Sequence, residues 1–421
     1  MHPAECSYTT AVGGARQVDN PMARLVIYKD FFKHGRGAER ATATMANAMV
    51  ALGYDVHIIT KQPTKIPFSV TFSPEVTCHR LPHRRHPLIR TFNKWILTSA
   101  LGERLLMRCF PKLDLALACS KRLQAMLRQL TPDLIIAAGS GECIDLLLAG
   151  PLEVPVVAMF HLFPPACFAQ TKLRRAARLK ALLPQVAECQ VLLPSHRDTL
   201  RPYTSAPVTA IANGITYPVD EPLPPAASRE KTILYVANFL PEKNHAELMD
   251  AFSRLNAPEW TLHLYGSGKP EAEATLKALA QDLGIAGRVR FTTPAVISRP
   301  ILLQASICAF PSKMEGFGLA LAEAMWCGLP CVGFKAALGV NELIVHEANG
   351  LLADPGPEAF AAQLQRLIDD ADLRERLGAI AARTARRAWA QETIMQLWDD
   401  LIQRNLQRPR PTPTSPAEPN A

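Results

Sequence analysis

The sequence predicts an α/β protein of two similar domains, each built on a parallel sheet. Three observations carry that expectation. Short β-branched or leucine-rich runs alternate with helical patterns along most of the chain. Such alternation is the signature of strand–helix–strand crossovers. The pattern pauses once, in the proline-rich stretch Thr216–Glu230, and then restarts. The length, 421 residues, also exceeds what one hydrophobic core usually serves.

Residues 1–21 contain no apolar core of a secretory signal and read as a disordered leader, with Met22 as a second possible start. The first domain is expected over 22–215. Its strands are LVIY (25–28), DVHII (55–59), DLIIAA (133–138), PVVAMF (155–160) and QVLLP (190–194), with helices such as Glu39–Leu52 and Lys121–Leu130 between them. Residues 216–230 form the linker. The second domain, 231–388, repeats the pattern with TILYVA (232–237), WTLHLYG (260–266), RVRFTT (288–293), SICAFP (306–311) and PCVGF (330–334). Helices are expected at 243–253, 270–283 and 317–327. A last helix, 389–407, is expected to pack back on the first domain, and the proline-rich end 408–421 to be disordered. Two such domains would face each other across a cleft, with ligands at the carboxyl ends of the strands.

Composition excludes several classes. Hydrophobic residues make up 48% and charged residues 20%, an ordinary globular balance. No apolar run reaches the roughly 18 to 20 residues that span a bilayer. Ten cysteines form no CxxC pair and no zinc-spaced cluster, so they read as packing residues in a reducing cytoplasm. The net charge of +8 is concentrated. Residues 79–110 are rich in arginine and lysine, interleaved with Phe92, Trp95, Ile96 and Leu97; Thr171–Lys180 is a second basic run. No nucleic-acid motif accompanies either. An anionic membrane surface suits them, as do two solvated helix faces.

The most unusual stretch is SKMEGFGLALAEAMWCGLPCVGF, Ser312–Phe334, an apolar segment carrying Glu315 and Glu323. Gly316 and Gly318 let a backbone approach a ligand closely, and a helix starting near Phe317 would aim amides and a positive dipole end at an anion. Were both glutamates helical, eight residues would separate them by about 12 Å along the axis. That exceeds the roughly 5 to 10 Å of a glycosidase pair. It suits the two ends of a long, anionic, polyhydroxylated ligand such as a nucleotide-sugar. A buried helix whose glutamates find local partners is the plain alternative.

EGFGLALAEAM followed by GLPCVGF resembles the E-x7-E signature of retaining glycosyltransferases of family GT4, which have the GT-B fold of two facing Rossmann-like domains with an interdomain cleft; the resemblance implies that 22–215 is the acceptor domain and 231–388 the nucleotide-sugar donor domain. Residues 34–60, 132–139, 155–161, 208–215, 264–291 and 341–355 resemble further family segments in the expected order. The resemblance implies that Glu315 contacts donor-sugar hydroxyls and Glu323 the donor ribose. The amides of Gly316, Phe317 and Gly318 would bind the diphosphate. In YVANFLPEKNHAEL, Lys243 matches the family's lysine and would neutralise the leaving diphosphate. Asn238 stands where the family usually has arginine. His161, after PVVAMF, matches the active-site histidine. Gly35 and Gly37, with Arg36 and Glu39 nearby, match the amino-terminal loop that ligands approach. Gly266 and Gly268 match the loop near the nucleotide base; a tight turn would explain them equally.

The resemblance implies a retaining transfer from a nucleotide-sugar, UDP-linked, with no metal cofactor. The acceptor would be a lipid-linked or oligosaccharide intermediate of capsule, lipopolysaccharide or exopolysaccharide. It places the protein in the cytoplasm, peripheral on the inner membrane face through 79–110 and 171–180, with no nucleic-acid partner. Two alternatives stand beside it: a non-catalytic scaffold of the same fold, for which Asn238 is the argument, and a nucleotide-sugar epimerase.

Overall fold

The computed structural model describes residues 23–33, 35–81, 115–148, 150, 152–169, 173–293 and 299–409. The leader, the tail from 410 on and most of the basic segment 79–110 lie outside them. The chain divides into two compact units. The amino-terminal unit runs to Ile211 and is completed by residues from Met395 on; the carboxy-terminal unit is Ala212–Ile394.

The amino-terminal unit holds a seven-stranded sheet of order β3-β2-β1-β4-β5-β6-β7. The strands are β1 (Arg24–Tyr28), β2 (Asp55–Thr60), β3 (Thr77–Arg80), β4 (Leu134–Ala137), β5 (Val156–Met159), β6 (Glu188–Val191) and β7 (Val208–Ala210). All neighbours pair in parallel. Strands covered by helices on both faces read as continuous apolar runs. Accordingly Leu25, Val26, Ile27 and Tyr28 are fully buried, as is Leu134–Ala137.

The carboxy-terminal unit holds a six-stranded sheet of order β10-β9-β8-β11-β12-β13. Its strands are β8 (Glu230–Val236), β9 (Thr261–Tyr265), β10 (Val289–Thr292), β11 (Ala305–Phe310), β12 (Cys331–Phe334) and β13 (Gly350–Ala353), again all parallel. In each sheet the winding reverses once, between β1 and β4 and between β8 and β11. Those reversals place the two crevices where doubly wound sheets bind ligands.

Several boundaries differ from the sequence expectation. The units divide at Ile211/Ala212, ahead of the proline-rich stretch, which packs on the carboxy-terminal unit instead of running free. Trp326 Nε1 donates to Pro218 O at 3.3 Å, and Arg299 pairs with Glu221. Proline fixes the backbone, and these contacts fix its course. The strand expected at 190–194 is β6, Glu188–Val191, because Pro194 opens the helix Pro194–Leu200. The helix expected at 243–253 is two pieces, a 3-10 turn Pro241–Lys243 and the helix His245–Ser253, separated by Asn244 in the left-handed region (φ 60°).

The last helix, Gln391–Leu406, carries the chain from one unit into the other. Buried Glu188 anchors its end. Arg404 Nε donates to Glu188 at 3.1 Å, Asn405 Nδ2 at 2.7 Å and Thr209 Oγ1 at 2.5 Å. Burial alone would raise the Glu188 pKa; these donors more than offset it and hold it below the ordinary value.

Candidate active site

In the carboxy-terminal unit the crevice is built from the segments after β8 and β11. Lys243 comes from the first and Glu315 from the second, and they meet: Lys243 Nζ lies 2.6 Å from Glu315 Oε1. Each is fixed from behind. Tyr235 OH donates to Lys243 O at 2.7 Å and lies 2.9 Å from Ser312 Oγ. The Glu315 amide donates to Leu338 O at 2.9 Å. Gly339 makes this possible, since a Cβ there would stand 2.4 Å from Glu315 O.

The helix after Glu315 begins later than expected. It spans Leu319–Trp326, with Gly318 as N-cap in the left-handed region (φ 79°). Glu315 is therefore in the loop and not on the helix, and the separation of about 12 Å for two helical glutamates does not apply. Among the described residues no backbone carbonyl accepts from the amides of Gly316, Phe317 or Gly318. These amides and the helix's dipole end form an arrangement that suits an oxyanion. Phe317 is buried, with its ring edge-on to Trp389, so the loop is held by an apolar anchor. Glu323 lies on the helix itself and is 4% exposed.

Two expected ligand residues have structural explanations. Gly266 is required by packing, because a Cβ there would fall 1.9 Å from Ala237 O. A Cβ on Gly268 would likewise fall 2.7 Å from Phe239 Cβ. These contacts lock the segment after β9 onto the one after β8. Asn238 sits on the latter, its Oδ1 accepting from Ser267 Oγ at 3.1 Å. It brings a hydrogen bond and no charge.

In the amino-terminal unit His161 comes after β5 as expected. Its Nε2 lies 3.4 Å from Thr42 Oγ1 on the helix Gly37–Ala51. Its Nδ1 is buried without a hydrogen-bond partner among the described residues. Burial, and secondarily the Lys29 charge, push its pKa down to about 3. At neutral pH it is an uncharged imidazole, suited to hydrogen bonding and not to acting as a cation. The Gly35 amide is already engaged by Glu39 Oε2 (2.9 Å) and Ser69 Oγ (2.6 Å). With φ at 60°, Gly35 serves the turn. Gly37, at the start of the helix, has open space where a Cβ would be. Arg36 is the N-cap residue of that helix.

A cluster that sequence reasoning missed occupies the crevice between β1 and β4. Lys29 Nζ donates to Glu142 Oε1 at 3.1 Å and to Ala138 O at 2.8 Å. Lys61 Nζ lies 3.0 Å from Asp30 Oδ1 and also pairs with Asp145, which accepts from Tyr28 OH at 3.2 Å. Burial alone would lower the Lys61 pKa; Asp30 and Asp145 hold it above the ordinary range. The signal available in the sequence was position. Lys29, Lys61 and Glu142 all fall within a few residues of strand ends.

Comparison with known proteins agrees with this architecture. The model for glycosyl transferases group 1 matches residues 222–384, and that for glycosyltransferase family 4 matches residues 35–217. The chain belongs to the family 4 glycosyltransferases and has the GT-B fold. It is 36% identical over 167 residues to the D-inositol 3-phosphate glycosyltransferase of Jonesia denitrificans, covering 37% of this chain and 39% of that one. It is 30% identical over 194 residues to the lipopolysaccharide core biosynthesis glycosyltransferase LpsD of Rhizobium meliloti, covering 44% and 55%. The matches thus span about half or less of those relatives' lengths. Among solved structures, Anabaena Alr3699/HepE in complex with UDP superposes with a TM-score of 0.69 at 19% identity, over 91% of this chain and 100% of that one, a likeness of fold.

Among the described residues, no cluster of three or more His, Cys, Asp or Glu is arranged to hold a metal ion, and no helix is long and apolar enough to cross a membrane.

Proposed function

We propose that the protein is a retaining glycosyltransferase that moves a sugar from a UDP-sugar to a glycan or lipid-linked acceptor of a cell-envelope polysaccharide. One observation carries the reading: the Lys243–Glu315 pair, 2.6 Å apart, stands beside the amides of Gly316–Gly318 at the carboxyl end of the donor-type sheet. A nucleoside diphosphate has the anion for the amides and lysine, and its sugar has hydroxyls for the glutamate. The fold neighbour with UDP supports the uridine nucleotide, and the lipopolysaccharide relative supports the envelope acceptor.

In this reading Lys243 turns from Glu315 towards the leaving diphosphate as charge develops there. Glu315, its backbone tethered to Leu338, accepts from donor-sugar hydroxyls. Glu323 accepts from the ribose. His161, an uncharged imidazole after β5 of the amino-terminal unit, offers a hydrogen bond to a substrate hydroxyl and not a positive charge. The bond from the anomeric carbon to the diphosphate breaks, the bond to the acceptor oxygen forms on the same face, and the acceptor proton passes to the departing phosphate. In this reading Lys243 and the loop amides supply the positive charge that the departing diphosphate needs.

The deciding experiment measures UDP binding and sugar transfer in Lys243→Ala and Glu315→Ala. Unchanged turnover in both variants would remove the assignment. A scaffold would bind UDP yet transfer nothing from any common UDP-sugar, and an epimerase would convert the donor without acceptor. Membrane association is part of the proposal. Its support is the basic helix Leu173–Leu182 beside a hollow of about 350 Å³ lined by Pro165, Phe168, Ala176, Ala177, Lys180 and Tyr203. Flotation with anionic vesicles tests it, and failure to bind at any salt concentration rejects it.

A further inference from the structure

The crevice between β1 and β4 is where a doubly wound sheet ordinarily offers a helix N-terminus to an anion. Here the chain fills that position itself. The helix Ser140–Leu147 starts after Gly139 (φ 148°), and its own Glu142 folds back over the start. Glu142 Oε1 accepts from the Asp30 amide and from Lys29 Nζ, both at 3.1 Å. The carboxylate fits because residue 139 lacks a side chain; a Cβ there would come within 2.4 Å of Glu142 Oε2.

The neighbouring charges are also matched internally. Lys29 is committed to Glu142, and Lys61 to Asp30 and Asp145. Two lysines against three carboxylates leave one formal negative charge. These side chains are 9–14% exposed, apart from Asp30 at 29%. The Oδ1 of Asp30 is buried against Lys61, so its exposed part is the rest of the carboxylate. Lys33 and Arg36 are nearby in sequence but exposed, where solvent and salt screen them.

We infer that the acceptor end received by this face is an uncharged polyol, gripped through its hydroxyls by Asp30, and that Glu142 excludes acceptors with a phosphate or carboxylate on that entering sugar. The inference rests on the proposed transferase activity, and it names the acceptor's chemistry. A carboxylate accepts hydrogen bonds from hydroxyls, while a second anion would meet a net negative, poorly hydrated cluster whose cations are already paired. Asp30 and Glu142 are specificity-determining residues in this account.

The test compares a neutral alkyl glycoside with its 6-phosphate and its uronate as acceptors. The wild type is expected to favour the neutral compound at least ~10-fold in kcat/KM. Inorganic phosphate should compete with donor only. In Glu142→Gln, Lys29 loses its counter-charge, and phosphate should compete with acceptor as well. Asp30→Asn should raise the acceptor KM with little change in kcat. A readout without turnover is calorimetric titration of inorganic phosphate into UDP-saturated protein. The expected result is no binding in wild type, one site in Glu142→Gln, and none in Glu142→Gln/Lys29→Met. Matching melting temperatures confirm that the variants fold. A wild type that prefers the phosphorylated or uronate acceptor, or a Glu142→Gln variant with no new phosphate site, overturns the inference. Absence of UDP binding overturns the proposed function instead, and phosphate titration of the UDP-free variants still reads this face.

Discussion

Each unit places a lysine from the segment after its first strand against a glutamate from beyond the winding reversal. The pairs are Lys29–Glu142 at 3.1 Å and Lys243–Glu315 at 2.6 Å. The backbone around the glutamate differs between them. Glu142 lies in the first turn of its helix and covers that helix's start. Glu315 precedes its helix by four residues, and Gly316–Gly318 fill the gap with amides that no described backbone carbonyl takes. The same ion pair therefore closes one crevice and flanks an open anion site in the other. A short glycine-rich insertion, and not the charged residues, makes the difference.

The sharpest way to break this comparison is to remove each lysine. Lys243→Ala is expected to lower kcat by about 10²- to 10³-fold, the scale of losing one preorganised charge contact in a water-poor site. Lys29→Met is expected to leave UDP affinity within about threefold and to act on stability instead. It leaves Glu142 buried with one charge partner fewer, a cost of about 2 kcal/mol. Steady-state kinetics and urea melts of the two variants check this. Equal loss of donor binding in both would show that the two pairs are not functionally distinct.

The glycines test the same contrast from the backbone side. Gly139→Ala drives a Cβ into the Glu142 carboxylate and strains a positive φ, so the closed crevice should lose about 2 kcal/mol or more. Gly318→Ala strains only φ, its nearest neighbour standing 3.5 Å away. It should cost about 1 kcal/mol of stability and act mainly on donor KM. Thermal melts with and without UDP separate the two.

These positions show how much was legible in the sequence. Buried parallel strands need unbroken apolar runs, so LVIY and DLIIAA marked β1 and β4 directly. Glu315, Lys243 and the glycine-rich loop were legible because a local motif carries them. The amino-terminal cluster was not, since Lys29, Lys61, Glu142 and Asp145 become neighbours only once three strands align. Gly35 and Gly266 point the other way. Each looked like a place for ligand, but Gly35 satisfies Glu39 and Ser69 in a left-handed turn, and Gly266 lets two backbone segments touch. A glycine reports close approach without saying what approaches.

His161 adds an acid-sensitive group to the amino-terminal unit, as His245, pushed down to about 4 by burial, does to the carboxy-terminal one. Its folded pKa, about 3, lies below the ordinary 6.5, so the folded state binds fewer protons than the unfolded one between those values. The stability this neutral imidazole permits is complete above about pH 6.5 and falls as the pH drops towards 3. Stability measured by denaturant melts should show that acid slope in the wild type and a shallower one in His161→Gln. Transfer should show no ionisation of His161 between about pH 5.5 and 8. An inflection near 6.5 that disappears in His161→Gln would show that the imidazole is solvated and charged in use.

The smallest effect is expected at Asn238, where family members usually carry arginine. Asn238→Arg loses the Ser267 hydrogen bond, worth about 1 kcal/mol, and adds a partly exposed cation to the open site's edge. Exposed charges contribute little, so donor KM should fall only about two- to fivefold with kcat nearly constant. That outcome means Lys243 and the loop amides already neutralise the diphosphate, and Asn238 is an adjustment within a working site. Turnover that instead rose about a hundredfold, the scale of a whole preorganised charge contact, would mean the reverse. The open crevice would then bind nucleotide without the charge to expel it, as expected of a scaffold and not of a transferase.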